Sequence, residues 1–507
     1  MPSRDGSLTY VYTSIGALPI HHTLPHVKGS ESLSMAKSHD NGLTWQKYAS
    51  NPILPSEPPN LEVTGFRDPF VSAWPSMAAA LDLDAESTLF GIISGGIRDV
   101  TPTTFLYSIE AADPTKWTYI GPLVNFGLNS RPSKWSGDLG VNWEVTNFAT
   151  LSDSSDPSVS REFLIMGTEG CLPSALSPSS TSTTPTRPAR NQLWMSGPLA
   201  RASPSNSSSP VTMPFAFGSH LDHGAFYAAN SFFCPKLRKH VVWGWVTEED
   251  LCDELRREQG WSGMLSLPRE ISLQTMRNVV GAWSSDLKSI TSVECEAEAE
   301  GQGAYTVRTL ASEPVREVVE KLRRSARAAT SAKTSGTALP GRDGSGLAFD
   351  VRTTAWELDV GFRLAKTCRE VGVQIVHSSS VGAFVPIPSI HPSIHPFRAK
   401  TDLTDIRSRP HTPQNNNSLL RARLRTPNPH PSILCLHPIT NQHRPDPRPA
   451  HPLHNPPPAH RRPLNRAPAR PRVARQLGAR SVRQRADGAE RAIVRGLRGE
   501  RGGEVLR

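Results

Sequence analysis

Along the first 380 residues, apolar and polar positions alternate in short runs cut by turn residues. They include LTYVYTS (8–14), TLFGIISGG (88–96), TTFLYSI (103–109), EFLIMGT (162–168) and HVVWGWV (240–246). Runs this short, rich in Val, Ile, Thr and aromatics, predict strands, and their spacing favours an all-β sandwich, barrel or propeller over alternating βα units. Trp243 and Trp245 are two apart, so they share a strand face, where packing between sheets is the expected role. One stretch has helical spacing instead: EPVREVVEKLRRSARAA (313–329) predicts a helix joining two β regions. A further β segment, AWELDVGFRLAKTCREVGVQIVHS, follows at 355–378. The Ser/Pro/Thr-rich stretches 172–191 and 203–210 bury too little apolar surface to order themselves and predict exposed loops.

After about residue 380 the pattern stops. The remainder is rich in Arg, Pro, His and Ala, lacks Trp and Tyr and has only two Phe, Phe384 and Phe397, so nothing in it predicts a core. The expected organisation is a β domain over 1–310, a linker helix over 311–330, a partial β-sandwich over 331–385 and a disordered basic tail over 386–507. Charge follows the same division. The chain is +10 overall, but residues 391–507 hold 22 Arg and 1 Lys against 7 acidic residues, or +16, which leaves −6 for residues 1–390. Nucleic acid is therefore not an expected partner of the folded part. The tail itself reads either as a phosphate-binding arm or as an artefact such as a read-through intron or shifted reading frame.

Six cysteines (171, 234, 252, 295, 368 and 435) show no CxxC pairing and no Cys/His metal spacing, so neither a zinc site nor a disulfide scaffold is indicated. No metal or cofactor is implied. No apolar run is long enough to span a membrane, and MPSRDGSLTY has no apolar leader core, so no secretion signal is read in the chain.

Candidate chemistry begins at GFRDPFVSAW (65–74), where Arg67 and Asp68 interrupt an apolar run and Pro69 fixes the chain direction. A carboxylate aimed into a pocket can accept hydrogen bonds from two vicinal hydroxyls, as sugar recognition requires. In GDLGVNWEVTNFATL (137–151), Glu144 follows Trp143 in a mostly apolar setting that should raise a carboxyl pKa and suit a general acid. LDHGAFYAANSFF (221–233) supplies Asp222 and a plausible pocket wall, and WSGMLSLPREISL (261–273) sets Arg269 and Glu270 behind a proline. Taken singly, each would more often be structural, as an ion pair at a strand end is, than catalytic.

In this order the four stretches resemble glycoside hydrolase family 32, the β-fructofuranosidases that include invertases, inulinases and fructosyltransferases, and most closely its fungal members. The resemblance runs over about residues 7–378, through GSESLSMAKSHDNGLTWQKYASNPILP, GFRDPFV, VNWEVTNF, DHGAFYAANSF, VVWGWVTEED and GMLSLPREISL. It implies a five-bladed β-propeller, here with its first blade incomplete, followed by a β-sandwich. It also implies cleavage of terminal β-fructofuranosyl bonds of sucrose or fructans with retention. By the resemblance, Asp68 would grip the fructosyl hydroxyls and stabilise the transition state, and Arg67 would keep that carboxylate ionised. Glu144 would be the acid/base residue. Trp143 and Asp222 would contact substrate, Asp222 near the second sugar. Relatives are commonly secreted.

One departure bears on the chemistry. The family's nucleophilic aspartate lies in an Asn-Asp-Pro motif, and the 507 residues contain no such tripeptide. Asp5 belongs to a later loop and is no substitute. A retaining mechanism needs two carboxyl groups about 5–5.5 Å apart, so impaired activity is expected, with a non-catalytic sugar-binding or non-functional propeller as the alternative. SHDNGLTW (38–45) also fits the Asp-box hairpin of sialidase-like propellers. Sialidase chemistry would want an arginine cluster and a tyrosine nucleophile, neither of which stands beside these motifs.

Overall fold

In the computed structural model of the chain, the residues described are 6–172, 190–201, 209–248, 253–282, 285–298 and 303–325, together with short strands between 347 and 438. Phe163-Leu164-Ile165-Met166 shows how the β runs are used. Strand alternation sends Phe163 and Ile165 into one core and Leu164 and Met166 into another. The strand is covered on both faces, which is why its sequence reads as a continuous apolar run.

Four antiparallel sheets repeat this arrangement. The first contains β1 (Leu8–Ile15), β2 (Glu31–Ser38) and β3 (Gln46–Lys47). The second contains β4 (Val63–Ser72), β5 (Thr88–Ile97), β6 (Thr101–Glu110) and β7 (Trp117–Pro122), with helix α1 (Pro75–Ala80) after β4. The third is built from β8 (Asn142–Ser152), β9 (Ser160–Glu169) and β10 (Arg190–Ser196); the ribbon β11 (Ala200–Arg201) with β12 (Val211–Thr212) precedes its last strand, β13 (Phe217–Asp222). The fourth runs β14 (Phe226–Cys234), β15 (Lys239–Val246), β17 (Arg269–Val279), β19 (Tyr305–Pro314) and β18 (Glu294–Ala297), with β16 (Met264–Leu265) on β15 and helix α2 (Asp253–Gln259) between β15 and β16.

Three cores glue the sheets in chain order. Leu33, Phe66, Ile93 and Phe105 join the first sheet to the second. Trp74, Phe90, Trp143, Phe148 and Met195 join the second to the third. Phe163, Trp194, Phe217, Val242 and Leu273 join the third to the fourth. Each fully buried aromatic or aliphatic side chain contributes about 1.5–3 kcal/mol relative to exposure. The all-β expectation is met, and the face-on-face stacking is consistent with a propeller. The hairpin at 38–45 forms as read: Asn41 and Gly42 both have positive φ, and Asp40 accepts hydrogen bonds from Ser38 and from the Thr44 backbone and hydroxyl.

Several expectations change. The helix after the fourth sheet, α3 (Arg316–Ser325), starts later than the expected 313, because Glu313 and Pro314 complete β19; positions 326–329 lie outside the described residues. Trp243 and Trp245 share a face, but it is a partly exposed one, with both side chains about two-fifths open to solvent. Beyond the helix, β20 (Leu347–Val351), β21 (Ala355–Leu364), β22 (Val371–Val376) and β23 (Val385–Pro386) are followed by β24 (Ser418–Pro427) and β25 (Ser432–Pro438). The last two fall inside the stretch expected to be disordered. They pair with β21 and with β20 and β22, giving a two-stranded sheet and a four-stranded sheet. The apolar runs Leu419-Leu420 and Ile433-Leu434 supply local strand propensity that the tail's average composition hides. Most of the two Ser/Pro-rich loops, 173–189 and 202–208, lies outside the described residues. Among the described residues Cys171, Cys234 and Cys295 are free thiols, and no helix there is long and apolar enough to cross a membrane.

Candidate functional site

The leading strands of the second, third and fourth sheets share one irregularity. In β4 the ladder passes from Arg67 opposite Ser94 to Phe70 opposite Ile92. In β8 it passes from Glu144 opposite Gly167 to Asn147 opposite Ile165. In β14 it passes from Tyr227 opposite Trp245 to Asn230 opposite Trp243. Each strand thus holds one extra residue, a β-bulge that bends it and re-aims the neighbouring side chain. The residue after the last paired one is left-handed in every case: Asp68 (φ 59°), Val145 (φ 47°) and Ala228 (φ 50°). For β-branched Val145 that conformation is a real outlier, and such strain costs about 1–3 kcal/mol.

The three residues just before the bulges, Arg67, Glu144 and Tyr227, meet. Arg67 donates to Glu144 Oε1 from Nη2 (2.8 Å) and Nε (3.1 Å), and the Tyr227 hydroxyl donates to Glu144 Oε2 (2.9 Å). Nη1 of Arg67 donates to Glu31 Oε1 at 2.9 Å, and its Nη2 lies 3.5 Å from Glu169 Oε2. Glu31 is buried and also accepts the Phe66 backbone N–H at 2.7 Å. Glu169 accepts from Asn142 Nδ2 (3.0 Å), whose Oδ1 takes the Thr64 hydroxyl (2.7 Å). Two glycines make room for this cluster. A Cβ on Gly65 would sit 2.4 Å from Arg67 Nη1, and one on Gly167 would sit 2.8 Å from the Tyr227 ring.

Asp68 joins from the bulge. Its backbone N–H donates to Thr13 Oγ1 (2.9 Å), and its Oδ2 accepts the N–H of Val145, the residue after Glu144 (3.1 Å). Burial and, next, the charge of Glu144 push the Asp68 carboxyl up to about 6, outweighing Arg67. Glu169 is held at about 2, because His22, Arg67 and Asn142 outweigh its burial. Burial and then Glu144 raise the Tyr227 phenol well above its ordinary range, so it remains a donor.

Asp68, Arg67 and Glu144 are therefore brought together, with differences in detail. Arg67 favours ionised Asp68 through its charge alone, since its donors go to Glu144 and Glu31, and burial and Glu144 outweigh it. The apolar setting expected for Glu144 is a polar one made by Arg67 and Tyr227. Trp143 does not line the site: it is fully buried between the second and third sheets, with Nε1 donating to Leu139 O (3.0 Å). Asp222, at the end of β13, is bound by Arg269 Nη2 (2.6 Å) and the Gly224 N–H (2.7 Å), and no hydrogen bond ties it to the cluster. Arg269 and Glu270 separate, the first to Asp222 and the second to Lys239. Sequence reasoning passed over Glu31, Glu169 and Tyr227. Tyr227 lay within a stretch already singled out, and the two glutamates stood in small-residue contexts with no signal of their own. The bulge-neighbour constellation offers one cationic donor, several carboxylates and a phenol, a set suited to binding and protonating a polyol.

Comparison with known proteins places the chain among its relatives. The family described as Glycosyl hydrolases family 32 N-terminal domain matches residues 3–283. An acid beta-fructofuranosidase, AIV-18, from Capsicum annuum is 24% identical over 243 residues, covering 45% of this chain and 30% of that protein. A beta-fructofuranosidase insoluble isoenzyme 3 from Oryza sativa subsp. indica is 36% identical over 75 residues, 15% of this chain and 13% of its own length. Among solved structures, the fructosyltransferase from A. japonicus is similar at 25% identity and a TM-score of 0.55, covering 75% of this chain and 62% of that one. The Aspergillus kawachii beta-fructofuranosidase complexed with glycerol is similar at 26% identity and a TM-score of 0.55, covering 75% and 60%. The chain therefore spans less than two thirds of the length of each.

Proposed function

The chain belongs to glycosyl hydrolases family 32, and from that premise we propose that its site recognises a terminal β-fructofuranosyl unit of sucrose or a fructan. Glu144 is the acid/base group, protonating the leaving-group oxygen and then drawing a proton from water. Asp68 accepts two hydroxyls of the furanose ring, and Arg67 and Tyr227 fix the Glu144 carboxylate between them. The observation that carries the reading is the convergence of Arg67, Glu144 and Tyr227 at equivalent bulges, with Asp68 bonded to the residue after Glu144.

Double displacement also needs a carboxylate that attacks the anomeric carbon, and the 507 residues contain no Asn-Asp-Pro to supply it. We therefore assign this polypeptide fructoside binding with impaired turnover. The test is calorimetry with fructose and sucrose alongside a hydrolysis assay on the purified chain. Binding that weakens at least tenfold in Asp68→Ala, without detectable turnover, is the expected result. Turnover abolished by Glu144→Gln would refute the impairment while supporting the acid/base role. Failure to bind any fructoside would remove the site assignment.

A further inference from the structure

One cluster beside this site has no part in that reading. His21 and His22 follow β1 in a loop whose rings lie 4.2 Å apart, and both face Glu169 at the end of β9. One ligating atom from each of the three residues falls within 4.8 Å of the others. The Nδ1 of His22 is buried and 3.3 Å from Glu169 Oε2, close enough to interact yet misaligned for a hydrogen bond. His21 is exposed, and its Nδ1 lies 2.8 Å from the Thr23 hydroxyl and 3.3 Å from the Thr23 N–H. In the tautomer whose Nδ1–H donates to the Thr23 hydroxyl, Nε2 carries the lone pair that an ion requires, which is the usual supporting arrangement around a metal-binding histidine.

We propose that His21, His22 and Glu169 form a binding site for a divalent transition ion of the zinc class. Two imidazoles and one carboxylate form a three-ligand set that leaves a position for water. The nitrogen donors select against Ca2+ and Mg2+, which prefer all-oxygen sites. The charge balance nearby favours a cation, since one guanidinium, Arg67, is shared by Glu31, Glu144 and Glu169. Exposed His21 gives the ion access from solvent, and the ligand atoms must contract toward the roughly 2.0–2.2 Å metal–ligand distances of such sites. An ion held there competes with Arg67 for Glu169, so occupancy at this loop reaches the network that clamps Glu144.

The experiment is titration of the full chain with Co2+, read by its visible absorption, followed by displacement with Zn2+. One equivalent of Co2+ with the strong bands of a four- or five-coordinate ion, displaced by Zn2+ and not by Ca2+ or Mg2+, is expected. His21→Asn, on an exposed loop, should weaken Co2+ binding by at least about tenfold, and Thr23→Val by about tenfold through the loss of ring orientation. The double variant His451→Asn/His454→Asn controls for the histidine-rich C-terminal segment and should bind as the unaltered chain does. The proposal is overturned if no saturable binding is seen. It is equally overturned if affinity and spectrum survive His21→Asn, or if they are lost in the C-terminal double variant instead.

Discussion

Arg67→Met is the most revealing single change, because it removes a guanidinium shared by three carboxylates while roughly keeping side-chain volume. In the folded chain Glu31 and Glu169 are almost completely buried and Glu144 is about one-fifth exposed, and all three contact Arg67. Removing one partner of a buried ion pair typically costs about 3–5 kcal/mol, because an uncompensated charge stays behind. Here Phe66 N–H, Asn142 and Tyr227 still solvate the orphaned carboxylates, which places the loss toward about 3 kcal/mol. By contrast, Glu144→Gln leaves Arg67 paired with Glu31 and Glu169 and should cost about 1 kcal/mol or less. Urea unfolding followed by tryptophan fluorescence at pH 7 and pH 4 measures both. The Arg67→Met penalty should shrink at pH 4, since the carboxylates it strands can take up protons. A penalty below about 1 kcal/mol at pH 7, or one that is undiminished at pH 4, would refute the shared-guanidinium account.

Asp68→Asn tests the perturbed carboxyl. A folded-state value of about 6 against an ordinary 3.8 means that the stabilising contribution is full below about 3.8 and lost as pH rises through 6. The variant should be more stable than the parent at pH 7 by about 1–3 kcal/mol, with the difference vanishing near pH 4 in unfolding titrations. Trp143→Ala should destabilise by about 3–5 kcal/mol, as deletion of a buried core aromatic does, whereas a substrate-contact role would leave the unfolding midpoint unchanged. Gly167→Ala should push the Tyr227 ring off Glu144 at a cost of about 1–3 kcal/mol, and Gly167→Ala/Tyr227→Phe together should cost no more than the sum of the singles.

Much of the fold was legible because the middle strands are apolar on both faces, and such runs can hardly be anything but buried β structure. Asp68 and Glu144 were legible because charge inside those runs has to have a use. Trp143 was misread although the needed signal was present: neighbours in a strand point to opposite faces, so a tryptophan beside an inward glutamate belongs to the core. Glu31 and Glu169 gave no local sign, since their partner Arg67 is 36 and 102 positions away and only the stacking of sheets brings them near. The strands at 418–427 and 432–438 were masked by averaging over a basic, proline-rich segment.

The bulges at 68, 145 and 228 do more than aim side chains. Each surplus residue is absorbed at its bulge, so the residues on either side stay in phase with the partner strand. Removing Asp68 would restore a regular ladder with Phe70 still opposite Ile92 and still edge-on to Phe148 across the sheets. The residues nearest the chemistry are thus surplus to the ladders that carry them, so deleting one should abolish the site while leaving the strands on either side in step.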